Sequence, residues 1–497
     1  MLLAALHGAV VTLGGEGYPS VGEGVPGVHR PSEGRARWLS LGRRAWWDRG
    51  PDLPVVVDRE VPRMSSTSPE TATSAASQSS QSSLSSQSST DRELDVVVYG
   101  ATGYVGGLIA GHLARHAPDD LRIALGGRSA DRLEAVRAGL PPRAADWPIV
   151  VADSDDVGSL AAMALRTRVV LTTVGPYARH GLPLVGVCAE LGTDYVDLTG
   201  ETLFVRDSID RFDEAARDSG ARVVHSCGFD SVPSDLGVLL TADQAHEDGE
   251  GTLLETTLHV RRMRGGFSGG TLDSMRVQVD TVRGDRSKVR VAIDPYALSP
   301  DRDAEPEPVG RIGQVWLERS ADTGSWAAPF FMGAYNGQIV RRSNALAGWS
   351  YGRGMRYREV VDTGRKGAAP LKAVAMAAVM PALVTGFSTP GLRQVVDRVL
   401  PSPGEGPSEK SRAAGEFVME VHATTTTGAR YVTTVSAPFD PGYDGTAVMI
   451  GEAALALVLD RPRLPEIAGV LTPATGLGEI YAARLVDQGF TIETRRA

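Results

Sequence analysis

The sequence predicts an α/β fold: a doubly wound parallel sheet of the Rossmann type, followed by a second α+β domain that contains an antiparallel sheet. Between residues 93 and 242, short and continuously apolar runs alternate with segments of helical periodicity. Such runs are typical of strands covered by helices on both faces, and their alternation with helices indicates parallel pairing. After about residue 242, apolar and polar residues alternate, as in a sheet with one exposed face.

The first domain is expected to span residues 93–242. Its strand candidates are 94–100, 122–127, 147–153, 168–175, 193–200 and 221–228. The helices expected between them are 104–115, 130–138, 154–165, 182–191 and 204–219. In the second domain, residues 243–440, the stretch 416–438 predicts a hairpin that turns near Thr427-Gly428.

Residues 1–92 are expected to be an N-terminal extension outside the folded domains. Residues 64–90 contain thirteen serines, and such a tract cannot bury enough apolar surface to offset the entropy of ordering it. We expect this tract to be disordered and translation to begin nearer Met64 than Met1.

Composition restricts the class of protein. A net charge of −9 over 497 residues argues against a nucleic-acid partner, which usually requires a basic surface. The two cysteines predict no disulfide framework, so we expect a reducing, cytoplasmic compartment. No metal-ligand spacing is present, and no metal is predicted.

One apolar segment, residues 371–387, raises the question of membrane contact. It is shorter than the roughly 20 residues needed to span a bilayer, and Pro381 interrupts it. Two interpretations follow: a buried or interface helix, or a surface that meets lipid peripherally at the plasma membrane.

Three glycines spaced three apart follow the first predicted strand. Glycines between a strand and a helix allow a tight turn, let the backbone approach a pyrophosphate and let the helix pack closely. The helix amino terminus offers unpaired N–H groups to phosphates. We therefore predict a dinucleotide site whose contacts are Gly100, Ala101, Thr102, Gly103, Tyr104, Val105 and Gly106.

The end of the second predicted strand indicates which dinucleotide binds. NAD binders place an acidic residue there, whereas this chain has Arg128 and Ser129 after two glycines. Arginine suits a ribose 2′-phosphate, which predicts NADP, although a solvated arginine at a helix start is the alternative. None of the twelve tyrosines has a lysine four residues later, which argues against a short-chain dehydrogenase mechanism.

Further candidates follow the later strands, at the sheet edge where ligands bind. Asp153 suits the adenine side of the pocket, but we prefer a role with Ser154 in capping the next helix. Tyr177 is either a catalytic residue or an ordinary loop aromatic. The residues expected to border the ribose and nicotinamide are Thr173, Val174, Gly175 and Pro176.

Glu201 and two further segments each allow two interpretations. Glu201 could orient substrate or favour the helix after it through the helix dipole. In residues 227–235, Ser231 is expected to cap a helix that begins at Pro233. The exposed N–H groups of this helix either bind an anionic part of the cofactor or substrate, or have no role beyond the helix start. Cys227 is expected to be a buried structural thiol.

Residues 265–275 predict either a flexible loop that closes over substrate or an inert turn, with Thr271 as a helix cap.

Five motifs together resemble the saccharopine dehydrogenase-like oxidoreductases, most closely the trans-acting enoyl reductase branch of actinobacteria. The resemblance covers residues 93–497, and its motifs are VVVYGATGYVGGLIAGHL, ALGGRS, VLTTVGPYARHG, YVDLTGE and HSCGFDSVPSDLG. It implies a Rossmann domain that binds NADP, an inserted domain for substrate and dimerisation, and a C-terminal segment, 441–497, that packs back on the first domain.

For that branch, the implied reaction is NADPH-dependent reduction of a C=C bond in a polyketide-derived lipid intermediate of glycolipid biosynthesis. Hydride goes to the β-carbon, and a tyrosine or water protonates the α-carbon. The resemblance also suggests delivery by a polyketide synthase and a homodimer. Two alternatives remain: saccharopine-type C–N chemistry, for which Arg261, Arg262 and Arg264 offer modest support, and a non-catalytic NADP-binding scaffold at a membrane or partner enzyme.

Overall fold

The computed structural model describes residues 92–265, 269–306, 317–389, 391–394 and 406–497. The predictions for the serine tract, for Met64 and for the rest of residues 1–91 lie outside this part of the chain. Next to the predicted boundary at residue 93, the buried Arg92 guanidinium donates to the carbonyl oxygens of Ala164 (3.1 Å) and Thr167 (2.6 Å).

A seven-stranded parallel sheet in the order β13-β6-β5-β4-β1-β2-β3 forms the first half of the fold, which confirms the predicted doubly wound class. Val96, Val97 and Val98 of the central strand are fully buried, which accounts for its unbroken apolar sequence. The strand order reverses between β1 and β4, the position where such sheets bind ligands. The strands are β1 (Leu94–Tyr99), β2 (Ile123–Gly127), β3 (Ile149–Val151), β4 (Thr167–Thr172), β5 (Asp194–Val196), β6 (Arg222–Val224) and β13 (Gly469–Leu471).

Helices alternate with these strands as predicted, with three starts displaced, one of them, at Thr202, by two residues. The third helix begins three residues later than expected, and the fourth begins five residues earlier, so that Tyr177 is its first residue. The helices are α1 (Tyr104–His116), α2 (Ala130–Ala138), α3 (Val157–Leu165), α4 (Tyr177–Leu191), α5 (Thr202–Ser219) and α6 (Val232–Glu247).

The second sheet is mixed rather than purely antiparallel, with strand order β14-β12-β11-β7-β10-β9-β8. β7 and β10 pair in parallel because a long helical connection returns the chain to the same end of the sheet before β10 begins. The predicted hairpin is β11 with β12. The strands are β7 (Leu253–Arg264), β8 (Glu318–Arg319), β9 (Trp326–Pro329), β10 (Arg356–Gly364), β11 (Glu416–Thr425), β12 (Arg430–Ala437) and β14 (Thr491–Arg496).

The C-terminal segment contributes a strand to each sheet: β13 pairs with β6 of the parallel sheet, and β14 pairs with β12 of the mixed sheet. The domain boundaries given above stay predictions. The helices of this half are α7 (Gly269–Val282), α8 (Arg286–Ile293), α9 (Gly333–Leu346), α10 (Ala369–Ser388), α11 (Glu409–Arg412), α12 (Thr446–Leu459) and α13 (Pro473–Asp487).

Two described helical segments are long and apolar enough, by length and composition, to cross a membrane. In the first, which ends with α12, 83% of the apolar window is buried in the protein, so it is a core helix. In α10 only 22% of the window is buried. It is therefore not a core helix, and the interpretations of residues 371–387 as an interface helix or a lipid-contacting surface stay predictions.

Asp235 of the first turn of α6 joins the two halves of the fold. Its fully buried carboxylate accepts hydrogen bonds from the backbone N–H of Ala474 (2.8 Å) and from the hydroxyl of Ser343. Three helices, α6, α9 and α13, therefore meet at one side chain. Burial raises the pKa of Asp235 to about 6.

Replacing Asp235 by alanine should lower the free energy of unfolding by about 2–5 kcal/mol, because two buried donors lose their acceptor. Chemical denaturation measures this difference. Asp131→Ala is the matched control, since Asp131 is also a first-turn aspartate but is exposed on α2, and its loss should cost under about 1 kcal/mol. Equal losses in the two variants would contradict the role assigned to Asp235.

Candidate active site

The glycine loop makes the close turn that a dinucleotide site requires. Gly100 has a φ of +93°, a conformation that favours glycine, and its N–H donates to the Gly126 carbonyl at 2.9 Å. A Cβ atom on Gly106 would lie 2.2 Å from the Gly100 carbonyl oxygen. Only a glycine at position 106 lets α1 pack this closely against the turn.

The amino terminus of α1 is open to an anion. Gly103 caps this helix without a side-chain hydrogen bond, and the first turn contains no acidic residue. Thr102 and Gly103 are exposed. The first N–H groups of α1 are therefore suited to bind a pyrophosphate, which fits the predicted cofactor.

The second predicted cofactor contact, Arg128, is exposed directly after β2. Within the described ranges, no hydrogen bond or ion pair occupies its guanidinium. Ser129 caps α2, where its hydroxyl accepts from the N–H of Arg132 at 3.4 Å. A 2′-phosphate placed here would meet a free arginine and a helix amino terminus, so these residues fit NADP.

Asp153 does not cap α3. The cap is Asp156, whose carboxylate accepts from the N–H of Gly158 at 3.0 Å. Asp153 instead accepts from the N–H of Asp155 (3.1 Å), and Ser154 is buried 3.5 Å from the imidazole of His180. The preferred capping interpretation was wrong by three residues, because the chain makes a turn before the helix begins. The adenine-side role stays a prediction.

The turn from Thr173 to Pro176 lies directly against the glycine loop. The Thr173 N–H donates to the Tyr99 carbonyl at 3.0 Å, and its hydroxyl donates to the Gly100 carbonyl at 3.3 Å. The two segments predicted to contact cofactor are thus adjacent in space, on the two strands that flank the reversal of strand order.

Tyr177 starts α4, which excludes the loop-aromatic interpretation. Its buried hydroxyl donates to the Thr172 carbonyl (3.2 Å) and accepts from the Leu198 N–H (3.1 Å). Burial raises the pKa of Tyr177 well above its usual value. The ring borders the cavity described below, but its hydroxyl already has an acceptor and a donor, so its catalytic role stays a prediction.

Glu201 has a function that neither sequence interpretation anticipated. Its buried carboxylate accepts hydrogen bonds from the N–H groups of Tyr177 (2.9 Å) and Ala178 (2.8 Å), at the start of the preceding helix, α4. It also accepts from the Ser274 hydroxyl of α7 at 2.6 Å. Burial raises the pKa of this carboxyl. Glu201 therefore connects the cofactor-side turn to α7.

Residues 269–275, predicted as a loop, belong to α7, and Thr271 lies within the helix rather than at its cap. Residues 266–268 lie outside the described ranges. The Gln278 side chain of α7 donates to the Gly200 carbonyl at 3.2 Å, next to the Ser274–Glu201 hydrogen bond. These two contacts hold α7 against the parallel sheet.

A cavity of about 430 Å³ lies between the glycine loop, the Thr173–Tyr177 turn and α7. Its polar lining includes Asp230, Asp273 and Tyr335, and its described lining contains no lysine or arginine. Six large apolar side chains of the lining, from β7, α7, the segment before α9 and α10, form its apolar wall: Met263, Met275, Val279, Phe331, Met332 and Met380.

The GFDSVPSD motif forms one border of this cavity. The helix begins at Val232, one residue before the expected Pro233, and Ser231 is its cap residue without a side-chain capping bond. The Ser231 hydroxyl instead donates to Asn336 at 2.9 Å. Cys227 is a buried free thiol whose pKa is raised by burial, as expected for a structural cysteine.

His225 belongs to a separate buried network. Its imidazole contacts the Asp197 carboxylate at 2.7 Å and the Ser208 hydroxyl at 2.9 Å. This is the order of groups found in serine hydrolases. However, all three side chains are buried and none lines the cavity, so this network serves packing between β5, β6 and α5. In the described residues, no group of three or more His, Cys, Asp or Glu could hold a metal ion.

Comparison with known proteins identifies the family. Residues 96–224 match the saccharopine dehydrogenase NADP binding domain. The chain is 46% identical over 420 residues to the trans-acting enoyl reductase of Mycobacterium ulcerans, covering 82% of this chain and 99% of the relative. The chain belongs to the trans-acting enoyl reductase family. A Mycobacterium tuberculosis member, provisionally named trans-acting enoyl reductase, is 49% identical over 415 residues with the same shares covered.

Membership in the trans-acting enoyl reductase family confirms the predicted resemblance, the NADP cofactor and the oxidoreductase class. Among solved structures, the apo saccharopine dehydrogenase (L-Glu forming) of Saccharomyces cerevisiae is similar, with 11% identity and a TM-score of 0.46, covering 81% of this chain and 100% of that chain.

Arg128→Ala should weaken NADPH binding roughly ten- to a hundredfold, because a charge-assisted contact to the 2′-phosphate is lost. NADH lacks that phosphate, so its affinity should change less than threefold. Fluorescence titration with both nucleotides measures the two constants. Arg137→Ala, in the last turn of α2, controls for the loss of a positive charge. An equal loss for NADPH and NADH would refute the assignment.

Proposed function

We propose that this protein is an NADPH-dependent enoyl reductase that saturates a C=C bond conjugated to the thioester of a lipid-like acyl chain. The observation that carries the proposal is the composition of the cavity. Its lining combines the glycine loop and the Thr173–Tyr177 turn with six large apolar side chains. A hydride acceptor with a long hydrocarbon substituent suits this combination.

Different residues of the chain bind different parts of the cofactor and the substrate. The amino terminus of α1 holds the pyrophosphate, Arg128 holds the 2′-phosphate, and the turn at Thr173–Pro176 borders the nicotinamide. NADPH, when bound, supplies the hydride to the β-carbon of the substrate. The apolar wall holds the acyl chain and excludes water from the reacting bond.

Saccharopine-type chemistry is disfavoured by charge. A substrate with several carboxylates requires cations, but the described cavity lining offers only the carboxylates of Asp230 and Asp273. The three arginines that gave modest support to this alternative bind acidic side chains: Arg261 pairs with Asp362 and Glu420, and Arg262 and Arg264 pair with Glu416.

Purified protein should oxidise NADPH with medium- and long-chain trans-2-enoyl thioesters and not with saccharopine. Absorbance at the NADPH band follows the reaction, and mass spectrometry identifies the saturated thioester. Turnover of saccharopine alone would replace the proposal by the C–N alternative. NADPH binding without turnover of either substrate would support the scaffold alternative instead.

We further propose that a polyketide synthase presents the acyl chain and that the product enters glycolipid biosynthesis. The relatives' name supports the first part, since it describes enoyl reductases that act in trans. We also propose that the protein is cytoplasmic and meets the membrane through α10. The outward face of this helix exposes Leu371 (71%), Val374 (51%) and Val384 (43%).

Charge supports an anionic lipid surface as the occupant of this face. Arg365, Lys366 and Lys372 are exposed at the amino-terminal end of α10. No acidic residue occurs from position 363 to 396, although the chain as a whole carries a net charge of −9. A helix with exposed apolar side chains and flanking cations is suited to lie in a lipid interface.

The protein should therefore sediment with vesicles that contain phosphatidylglycerol, less with phosphatidylcholine alone, and less at high salt. Leu371→Asp combined with Val374→Asp should reduce the bound fraction at least tenfold, since two apolar anchors are lost. Val157→Asp is the matched control, because Val157 is equally exposed (56%) on α3. If the double variant sediments with these vesicles to the same extent as the wild-type protein, the proposed lipid contact is contradicted.

A further inference from the structure

The cavity contains one carboxyl group that the binding scheme above does not use. Asp230 lines the cavity, and within the described part of the chain its carboxyl makes no hydrogen bond or ion pair. The other acid in the lining, Asp273, lies 3.7 Å from the guanidinium of Arg276. Asp230 is therefore the acidic side chain that remains available to a substrate.

The backbone on either side of Asp230 is anchored. The N–H of Phe229 donates to the Thr446 hydroxyl at 3.1 Å, and its ring packs edge-on against Phe417 with ring centroids 4.8 Å apart. On the other side, the Ser231 hydroxyl donates to Asn336 at 2.9 Å. The backbone that carries the Asp230 side chain is therefore fixed at the cavity, which limits the positions its carboxyl can reach.

The other titratable groups that border the cavity are poorer proton donors. The Tyr335 hydroxyl of α9 contacts the Ser226 hydroxyl (2.6 Å) and the Thr199 carbonyl (3.2 Å), and Tyr177 of α4 is bonded as described above. Burial raises the pKa of both phenols well above the usual value. Tyr104 of α1 and Tyr443 before α12 also border the cavity, and the Tyr104 hydroxyl donates to the Pro407 carbonyl at 2.6 Å.

We propose that Asp230 is the catalytic acid that protonates the α-carbon of the substrate; this rests on the enoyl reduction proposed above. The C=C bond gains a hydride at the β-carbon from NADPH and a proton at the α-carbon from the Asp230 carboxylic acid. The resulting carboxylate regains its proton from water. One NADPH and one proton are consumed for each double bond saturated.

The protonation state of Asp230 suits this step. Desolvation by burial raises the pKa of its carboxyl to about 6, with no neighbouring cation to lower it. A general acid works best when its pKa lies near the working pH, because a sufficient fraction is protonated and the proton is still readily given. The activity should accordingly fall as the pH rises above about 6, which is the pKa of the Asp230 carboxyl in the protein without ligands.

Asp230→Asn tests the assignment. It should lower kcat by about 10²- to 10⁴-fold, the usual contribution of a general acid, and leave the NADPH dissociation constant within twofold. It should also abolish the fall in activity at alkaline pH. Asp131→Asn removes an exposed carboxylate of α2 that does not line the cavity and should change kcat less than threefold.

A second measurement does not depend on turnover. The infrared spectrum of the wild-type protein minus that of Asp230→Asn, both without cofactor, should contain a carboxylic acid C=O band that titrates near pH 6. The subtraction removes the bands of Asp235 and Asp440, whose pKa values are also about 6. Wild-type rates in Asp230→Asn, or absence of that band from the difference between the two proteins, would overturn the role of Asp230. Wild-type protein that reduces no enoyl thioester would instead overturn the proposed function itself.

Discussion

The geometry of the candidate site depends on the buried carboxylate of Glu201. It accepts the first two N–H groups of α4 and the Ser274 hydroxyl of α7, so one side chain holds both the cofactor-side turn and a helix that lines the cavity. Two helix N–H donors and a hydroxyl stabilise the charged form of this group, while its burial opposes that form and raises its pKa. The position of α7 at the cavity and the order of the turn at Thr173–Pro176 are therefore coupled through one carboxylate.

The two aspartates of the GFDSVPSD motif show how one short segment combines stability with chemistry. Asp235 is saturated with hydrogen bonds from α9 and α13, and this fixes the start of α6. Five residues earlier, Asp230 has no such partner and borders the cavity. Burial raises the pKa of both carboxyls to about 6, so the pKa alone does not distinguish their roles. The hydrogen-bond partners of Asp235, which Asp230 lacks, distinguish the roles of the two side chains.

The features that could be predicted from the sequence are those set by local chain geometry. The continuous apolar strands, the tight turn at Gly100 and the exposed arginine after β2 all depend on neighbouring residues, and each is found where expected. The errors concern contacts between distant segments. The Glu201 carboxylate caps α4, the helix that precedes it in the sequence, and not α5, which it directly precedes. Tertiary packing brings the start of α4 within hydrogen-bond distance of this carboxylate. The parallel pairing of β7 with β10, about one hundred residues apart, likewise leaves no local pattern. Asp153 and Asp156 are both acceptable helix caps by type, and only the turn between them decides which one is used.

The inward and outward faces of α10 relate the cavity to the proposed lipid surface. On the inward face, Leu383 and Phe387 pack against Leu272 of α7, and Met380 lines the cavity. On the outward face, Leu371 and Val374 remain exposed. An acyl chain in the cavity would contact the inward face of α10, and a lipid surface would contact its outward face. Burying a CH₂ group contributes about 0.8 kcal/mol at either face. The proposed substrate and the proposed lipid contact thus depend on the same helix.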